Sequence, residues 1–523
     1  MTSRFTFLSL LLCLGATQLR AQSELIVEPG SSFLNEVIAA DTTTTGERVD
    51  SNRIYVLRRD AEYLVRGQFR NQTYKLHLRA EEGEGDRPHI KTFPDQQGTI
   101  NGDMIRLYAD GIFENLHIDG ESSSGDQPYP NRLFRTEGEG QNLTVTGCLL
   151  TNGAQSAVRV NKAAGRIIFE NNVITNLGAI AQDNMGNGRV IDARSSSINY
   201  LRLENCTFVN VMDRLIRHRG GSGVIDSMVV NHTTTINHMG YHGFLELGNM
   251  GDYFQFTNNL ILDGMSMGND VTDAERLTEF DSHGETDAEG RPTMVWIGSI
   301  PNDTTEFVID DNVYSVSDEL QAWYAEKGVD EGPELLLTDH IAGRLADGSM
   351  AFTKVQVSVN EAPMFPEELQ DWYWSPDGAN KAKVTTGEFT MNRQDATYWR
   401  ETLDGGYAVN DSLRNEAGMQ LGDLNWVENS VNTNDVLVNQ VAMATYPNPL
   451  ADVATLTFEL GEASRVDLQW FDAMGRTVRV ESFGRLNAGS HRRQIRRDAL
   501  APGLYFLQVR SERERGTLRI VVR

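Results

Sequence analysis

Short segments in which apolar and polar residues alternate recur through the first three quarters of the chain. Each consists of an alternating strand, an Asn or small residue, a second alternating strand, and in most cases a closing Asn or Gly. Alternation with a period of two is typical of β-strands. One such segment cannot bury its apolar face alone, so the pattern predicts stacked coils of a β-solenoid. The segments are 113–120, 143–152, 167–176, 201–210, 227–237, 254–264 and 307–317.

Alignment of these segments predicts two columns of residues that repeat from coil to coil. The first column is Asn115, Cys148, Asn172, Cys206, His232, Asn259 and Asn312, with spacings of 33, 24, 34, 26, 27 and 53 residues. One coil needs roughly 20–30 residues, so the last spacing is either two coils or one coil with an insertion. The second column is a ladder of turn residues, Asn152, Asn176, Asn210 and Asn237.

The two cysteines of the first column are expected to be core thiols rather than a disulfide. Cys148 and Cys206 are separated by the coil that carries Asn172. Two coil rises amount to about 9–10 Å, which exceeds the reach of a disulfide.

Another set of strands predicts a charged stripe on the outside of the solenoid. Apolar residues occupy alternate positions in 132–138, 157–165, 189–197, 214–222, 243–251 and 293–299. If these face inward, their neighbours face outward on coils roughly 4.8 Å apart. The stripe would contain Arg135, Arg159, Asp192, Arg194, Arg217, Arg219 and Glu246, and would end beside an exposed Trp296.

The coils resemble those of the pectate lyase-like right-handed parallel β-helix superfamily. The segments AEYLVRG (61–67), KLHLRAEEGEGDRPHI (75–90) and IRLYADGIFENLHIDG (105–120) look like its opening coils. The resemblance covers roughly 25–426 and implies an all-β solenoid, with 418–426 as part of a closing cap. Residues 1–21 are expected to be a signal peptide, because Arg4 precedes the apolar run 5–14 and Ala21 before Gln22 suits signal peptidase. Helix-like stretches are expected in 318–345 and 366–374. The superfamily holds lyases, hydrolases, esterases and non-enzymes, so it does not identify an activity.

The last 80 residues form a second unit after a polar linker, 427–443. Short alternating strands predict a small antiparallel β-sandwich over 444–523. YPNP (446–449), FDAMGR (471–476), LAPGLYFLQV (500–509) and RIVVR (519–523) resemble the type A sorting domain of the type IX secretion system of Bacteroidota-like bacteria. That resemblance implies engagement of the secretion machinery through 444–523, followed by surface attachment or release. An unrelated carbohydrate-binding sandwich is the alternative.

Charge narrows the class of partner. The chain carries a net charge of −26, of which 444–523 contributes +4 and the remainder −30, with only 7 Lys against 40 Arg. This argues against nucleic acid as a partner. No segment after residue 21 is long and apolar enough to span a membrane, so the mature protein is expected to be soluble, and we expect a monomer.

A cluster of Arg on an acidic chain suits the carboxylates or sulfates of an acidic polysaccharide. The predicted function is therefore a lyase that cleaves such a glycan by β-elimination, which needs a base and a cation beside the uronate carboxylate. Candidate catalytic residues are Arg217, Arg219 and Lys162. Candidate substrate-binding residues are Arg135, Arg159, Arg194, Trp296, His242 and Tyr241. Asp192 and Glu246 are candidate ligands for Ca²⁺.

Other interpretations stay open. The charged stripe can also be a ladder of structural salt bridges, and the protein can be a non-catalytic surface protein for glycan binding or adhesion. A hydrolase would need two carboxylates about 5–10 Å apart. The insertions 177–188 and 265–291 are expected on one face, where they would wall a groove. His218 is expected to be an inward, satisfied core residue.

Overall fold

A computed structural model describes most of the chain, which divides into two compact units, 1–427 and 428–523. The described residues of the first unit are 23–30, 32–123, 129–178, 187–240, 242–268, 295–299, 302–328, 336–345, 351–356, 367, 370, 413 and 420–426. Those of the second are 439–440, 443–446, 448–460, 464–472, 477–498, 500–511 and 514–523. The expected signal peptide lies outside the described residues.

Among its described residues, the first unit contains short strands, three α-helices and one 3₁₀ helix, Leu424–Trp426. The α-helices are α1 (Leu34–Ala39), α2 (Asp318–Lys327) and α3 (Asp339–Ala342). The strands are β1 (Glu24–Val27), β2 (Ile54–Leu57), β3 (Glu62–Arg66), β4 (Phe69–Asn71), β5 (Leu76–Ala80), β6 (His89–Phe93), β7 (Asp103–Leu107), β8 (Gly111–Glu114), β9 (His117–Ser122), β10 (Arg132–Thr136), β11 (Gln141–Thr146), β12 (Leu149–Thr151), β13 (Ser156–Val160), β14 (Ala164–Glu170), β15 (Val173–Leu177), β16 (Arg189–Arg194), β17 (Ile198–Glu204), β18 (Thr207–Val211), β19 (Ile216–His218), β20 (Ile225–Asn231), β21 (Thr234–His238), β22 (Leu245–Leu247), β23 (Met250–Thr257), β24 (Leu260–Gly264), β25 (Val295–Ser299), β26 (Glu306–Asp310), β27 (Asn312–Ser315), β28 (Leu336–Leu337) and β29 (Phe352–Lys354).

These strands form three parallel sheets, and successive coils contribute one strand to each sheet. The first sheet has the order β1-β2-β5-β8-β11-β14-β17-β20-β23-β26. The second has the order β3-β6-β9-β12-β15-β18-β21-β24-β27-β29, and the third β4-β7-β10-β13-β16-β19-β22-β25-β28. Strands that neighbour each other in a sheet are about one coil apart in sequence, which is the arrangement of a parallel β-helix and confirms the predicted solenoid.

The core is a continuous apolar column inside the three sheets. Inward residues such as Leu143, Ile167 and Leu201 lie opposite each other on successive coils, and all three are fully buried. Each coil therefore buries its apolar side chains against the coils above and below it, at roughly 25 cal/mol for each Å² removed from water. A single coil could not exist without its neighbours.

An internal polar ladder marks the turn from the first sheet to the second. The side chain of Asn172 accepts a hydrogen bond from Cys148 N (2.8 Å) and donates one to Val145 O (2.8 Å). Asn259 accepts from Thr233 N (2.9 Å), and Asn312 in turn accepts from Asn259 N (3.1 Å). These amides satisfy backbone groups that bend out of the sheet ladders.

The structure corrects two members of the predicted first column. Asn115 and His232 lie one residue earlier, at turn positions with positive φ of 56° and 50°. The ladder positions in those coils hold Leu116 and Thr233 instead. A shift of one residue reverses the side chain's direction, and alignment on polarity alone could not detect it. The predicted core thiols are confirmed, because Cys148 and Cys206 are buried and unpaired.

The second predicted ladder is confirmed at the ends of the second-sheet strands. Asn152, Asn176, Asn210 and Asn237 all have positive φ, between 53° and 66°. Asn210 donates to Asn176 Oδ1 (3.1 Å), and Asn237 donates to Asn210 Oδ1 (3.2 Å). Asn is one of the few residues with a side chain that tolerates this backbone conformation.

The wide spacing between Asn259 and Asn312 is one coil with an insertion. β23 pairs with β26 and β24 pairs with β27, so no further coil separates them. The predicted closing cap has a different place from the one expected. Leu413 and Leu421 pack on apolar side chains of the second sheet, and Asp423 accepts a hydrogen bond from Thr207 Oγ1 (2.7 Å). This segment covers the side of the helix, not its end, because the outer face there is apolar.

The second unit consists of two sheets around one core. Its strands are β30 (Asn439–Gln440), β31 (Met443–Tyr446), β32 (Val453–Leu460), β33 (Ser464–Asp472), β34 (Thr477–Leu486), β35 (Gly489–Arg496), β36 (Gly503–Arg510) and β37 (Glu514–Val522). The sheet orders are β30-β37-β36-β33-β34 and β31-β32-β35, and antiparallel pairing dominates both. Trp470 and Leu456 are buried between the sheets. The sequence did not predict β35, because its segment, GSHRRQIR, lacks an apolar alternation.

Loss of the internal ladder should destabilise the first unit. We predict that Asn172→Ala lowers the free energy of unfolding by about 2–4 kcal/mol, because Cys148 N and Val145 O would be left buried without partners. Denaturant unfolding of the β-helix measures this. Asn101→Ala is the control, since its side chain makes only a 3.5 Å contact to Asp95. Equal stability of the two variants would contradict the role of the ladder.

Candidate functional site

The outer face of the third sheet carries the predicted charged column. Register places Arg135 opposite Arg159, Arg159 opposite Asp192, Asp192 opposite Arg217, and Arg217 opposite Glu246. Coil stacking is the reason, because parallel in-register strands set equivalent side chains one above another. The structure thus brings together five of the residues singled out from the sequence.

Trp296 does not belong to this column, and the prediction of an exposed aromatic is wrong. Its side chain is 1% exposed and stacks on Phe244, with ring centroids 5.1 Å apart. Gly298, not Trp296, lies opposite Glu246. The pairing of β25 with β28 shifts register between Val295 and Ile297. The strict alternation of inward and outward side chains therefore fails there.

Asp192 is the centre of the first of two buried ion clusters on this face. Its carboxylate, 1% exposed, accepts hydrogen bonds from Arg159 Nη1 (2.7 Å) and Arg217 Nε (2.8 Å). Arg189 Nη1 lies 3.8 Å from Oδ2. Three guanidinium groups therefore share one carboxylate, an arrangement that compensates the cost of burying each charge.

Asp213 is the centre of the second cluster, and the sequence did not single it out. It lies just after β18 and is fully buried. Arg189 Nε and Arg214 Nε each donate to Oδ2 at 3.1 Å, and His242 Nδ1 donates to Oδ1 at 2.8 Å. Arg214 also contacts the Glu246 carboxylate through Nη1. A carboxylate that holds one imidazole nitrogen orients the ring for proton transfer at the other nitrogen.

Attraction by neighbouring cations outweighs burial in setting the pKa of both carboxylates. Burial alone would raise the pKa of Asp213, but Arg214, His242 and Arg189 hold that pKa well below 3.8. Burial likewise opposes ionisation of Asp192, and Arg217, Arg189 and Arg159 lower its pKa. Burial lowers the pKa of Arg159 and Arg189 to about 10, so both remain protonated at neutral pH.

We name these residues the arginine cluster: Arg159, Arg189, Arg194, Arg214, Arg217 and Arg219, with Asp192, Asp213, Glu246 and His242. Arg194 and Arg219 are exposed at the end of β16 and just after β19, and Arg219 N donates to Arg194 O. Among the described residues neither guanidinium has an acidic partner within ion-pair distance. Six Arg face three carboxylates, so the cluster is positive on a chain with a net charge of −26.

Two more predicted site residues lie outside the arginine cluster, although Arg135 belongs to the same column. Arg135 pairs with Glu137 (2.8 Å) and Asp103 (3.5 Å), nearer the first coils. Lys162 is exposed in the turn towards the first sheet, where Glu139 lies 3.8 Å away. Tyr241 lies outside the described residues. His218 is buried as expected, and its Nε2 lies 3.2 Å from Ser196 O.

One edge of the arginine cluster lies in the turns that connect strands of the second sheet to strands of the third. Asp213 follows β18 directly, and His242 lies in the connection from β21 to β22. Both predicted insertions join the same two sheets, from β15 to β16 and from β24 to β25. Most of their residues, 179–186 and 269–294, lie outside the described residues, and the expected groove wall stays a prediction.

The expected Ca²⁺ site at Asp192 and Glu246 also stays a prediction, and the contacts do not favour it. Arg donors occupy both oxygens of Asp192, and Glu246 is paired with Arg214. Calcium takes six to eight oxygen ligands, whereas guanidinium groups supply none and repel the cation.

The sequence analysis missed Asp213, Arg189 and Arg214 because they lie at the start of a strand or just before one. Alternation predicts the direction of residues within a strand, such as Asp192 and Arg217. It predicts nothing for residues in the turn before a strand, such as Asp213 and Arg214, and little for the first residue of a strand, such as Arg189. The sequence contained one signal for them, the charged dipeptide Asp213-Arg214. It precedes the strand that holds Arg217, and Arg214 is three residues before Arg217.

Comparison with known families identifies the second unit. Residues 444–523 match the family described as the secretion system C-terminal sorting domain. The protein is therefore exported through the type IX secretion system to the cell surface or the extracellular space. A search of curated proteins finds no match. Among the described residues, no helix is long and apolar enough to cross a membrane.

Acid should destabilise the β-helix through His238. Its ring is fully buried against Phe244, and burial lowers its pKa from 6.5 to about 4. Between pH 6.5 and 4 the unfolded chain binds a proton that the folded chain excludes. The free energy of unfolding therefore decreases as the pH is lowered. At pH 5 the loss should be about 2 kcal/mol.

The variant His238→Asn tests this prediction, because Asn keeps an acceptor for the Met265 N–H and does not titrate. The difference in unfolding free energy between pH 7 and pH 5 should shrink by about 2 kcal/mol. His491→Asn, at a half-buried position of the second unit, is the control. An unchanged pH dependence in His238→Asn would contradict the prediction.

Removal of the sorting domain should block export. We predict that a chain lacking 444–523 accumulates in the periplasm of a host with type IX secretion, because the matched domain is the part recognised for outer-membrane passage. Fractionation and immunoblotting measure this. A fusion of 444–523 to an unrelated exported reporter is the reciprocal control and should reach the medium or the surface. Surface delivery of the truncated chain would contradict the assignment.

Proposed function

We propose that the β-helix unit binds an acidic polysaccharide on the arginine cluster and cleaves it by β-elimination. The observation that carries the proposal is the contact between His242 Nδ1 and Asp213 Oδ1 at 2.8 Å, set among arginines. An imidazole oriented by a buried carboxylate is a general base, and neighbouring guanidinium groups are partners for a uronate carboxylate.

Each part of the arginine cluster has a role in this reaction. Arg194 and Arg219, the exposed guanidinium groups, bind the uronate carboxylate and acidify its α-proton. Arg189 and Arg214 keep Asp213 ionised, and Asp213 holds the His242 ring. Asp192 fixes Arg159 and Arg217, which add positive potential from below. Arg217 is therefore a positioning residue in this proposal, and His242 replaces Arg217, Arg219 and Lys162 as the preferred base.

The chemical step needs no oxidant or cofactor. His242 Nε2 removes the proton at C5 of the uronate, and the electron pair forms the C4–C5 double bond as the C4–O glycosidic bond breaks. The proton held by His242 passes to the departing oxygen. The products are one chain with an unsaturated uronate end and one with a new reducing end.

A non-catalytic glycan-binding protein is the second candidate. It is favoured by the same exposed pair, Arg194 and Arg219, combined with the burial of His242, which is 9% exposed. In that case the buried ion clusters would serve only to hold the two exposed guanidinium groups. The two functions differ in whether a bond breaks.

The test is ultraviolet absorbance of the unsaturated product after mixing the protein with pectate, alginate or glycosaminoglycans. We predict activity on at least one of them, a loss of at least about a hundredfold in kcat for His242→Gln, and retained binding by that variant. Arg194→Ala combined with Arg219→Ala should raise KM by about tenfold or more, because ion pairs to the substrate are lost.

Arg166→Ala is the matched control, because Arg166 lies on the first sheet over the Tyr200 ring. Its activity should equal that of the unmodified protein. Binding without any product, lost in the double Arg variant, would establish the second candidate in place of the first. Neither binding nor product on any of these glycans would overturn both.

A further inference from the structure

A second group of chemically reactive side chains lies on the outer face of the second sheet, whereas the arginine cluster lies on the third. β6 and β9 pair in parallel, with His89 opposite His117 and Lys91 opposite Asp119. The two imidazole rings stack with centroids 4.0 Å apart and planes 3° from parallel. Coil stacking thus places two imidazoles and a carboxylate on one small patch.

From this group we propose a binding site for a divalent transition metal, Zn²⁺ in particular, with His89, His117 and Asp119 as ligands. His89 Nε2 lies 2.9 Å and His117 Nε2 lies 3.9 Å from Asp119 Oδ2. All three candidate ligand atoms lie within 4.8 Å of one another. Ligands in a tetrahedral zinc site are about 2.0–2.2 Å from the metal and so roughly 3.4 Å apart, which requires only a modest contraction.

The carboxylate is held in place as metal-site carboxylates are. Asn152 Nδ2 donates to Asp119 Oδ1 at 2.7 Å, and Glu121 N donates to the same oxygen at 2.8 Å. Both donors engage Oδ1, which leaves Oδ2 directed at the imidazoles. Outer partners of this kind orient ligands and strengthen metal binding.

Charge at the patch also suits a cation. Lys91, the nearest ammonium on β6, is paired with Glu62 at 3.2 Å. Burial would raise the pKa of the Asp119 carboxyl, but hydrogen bonds from His89, Glu121 N and Asn152 hold it below its usual range, so the carboxylate is ionised. Burial lowers the pKa of His117 to about 3, so its ring is neutral and can bind a metal.

The donor set selects the class of metal. Two imidazole nitrogens and one carboxylate are ligands typical of zinc, whereas Ca²⁺ and Mg²⁺ take oxygen ligands. Both rings must turn out of the parallel stack so that their lone pairs converge, and the torsion about Cβ–Cγ of His is broad enough to allow this. The side chains of His89 and His117 are 29% and 21% exposed, so an ion can reach them from solvent. Three protein ligands leave a fourth position for water, with Thr151 Oγ1 3.0 Å from His117 Nε2.

Titration of the chelator-stripped full chain with Zn²⁺ tests the proposal. We expect one equivalent to bind with micromolar or tighter affinity, and excess Ca²⁺ not to compete. Affinity at this site should fall at least a hundredfold in His117→Gln and about ten- to a hundredfold in Asn152→Gly, which removes the side chain that supports Asp119 and tolerates the positive φ of this turn position. His491→Gln, in the second unit, is the matched control and should bind like the unmodified protein.

Co²⁺ gives a second readout that a structural role alone would not change. Tetrahedral coordination should produce intense visible absorption, absent in His117→Gln and present in His491→Gln. Circular dichroism shows whether each variant is folded. The proposal is overturned if the unmodified chain binds no Zn²⁺ at millimolar concentration, or if folded His89→Gln and His117→Gln variants keep the same stoichiometry and affinity.

Discussion

In-register stacking of parallel strands is the constraint on which the rest of this structure depends. Each coil donates and accepts backbone hydrogen bonds with the coils on either side, so a residue's neighbours are its equivalents about 24–34 positions away in most coils. Inside the solenoid this makes apolar columns and an amide ladder. Outside it makes columns of charge and of imidazole, and both candidate sites are products of this repetition.

Repetition also creates an electrostatic problem, which the third sheet solves from Arg159 to Glu246 by alternation of charge. Adjacent coils are about 4.8 Å apart, so equivalent residues that carried the same charge would repel each other strongly. Asp192 separates Arg159 from Arg217 in the column, and Glu246 follows Arg217. Carboxylates placed between guanidinium groups allow several Arg side chains to be buried, so that Arg194 and Arg219 are the exposed positive groups of the arginine cluster. A buried network of this kind contributes little to stability overall but fixes the geometry of its members.

The two sites therefore have distinct chemistry within one architecture. At the arginine cluster, cations outnumber carboxylates, which suits an anionic glycan and opposes a metal ion. On the second sheet, neutral imidazole and an ionised carboxylate lie together, which suits a metal ion and opposes a polyanion. Both candidate sites lie on the β-helix unit, and 444–523 match the sorting domain that serves export.

From the sequence alone, the period of alternation determined the solenoid, and the motifs in 444–523 determined the export route. It also placed Arg135, Arg159, Asp192, Arg217 and Glu246 in one column, because alternation and coil length are local properties of the chain. Only the tertiary structure decided the direction of residues at bulges and turns. Trp296 turned inward at a register shift, and Asn115 and His232 fell one position from the ladder. Asp213 and His242 came together although 29 residues separate them. His89 and His117, 28 positions apart, stacked because their coils are adjacent, and no local pattern shows which coils lie side by side at which register.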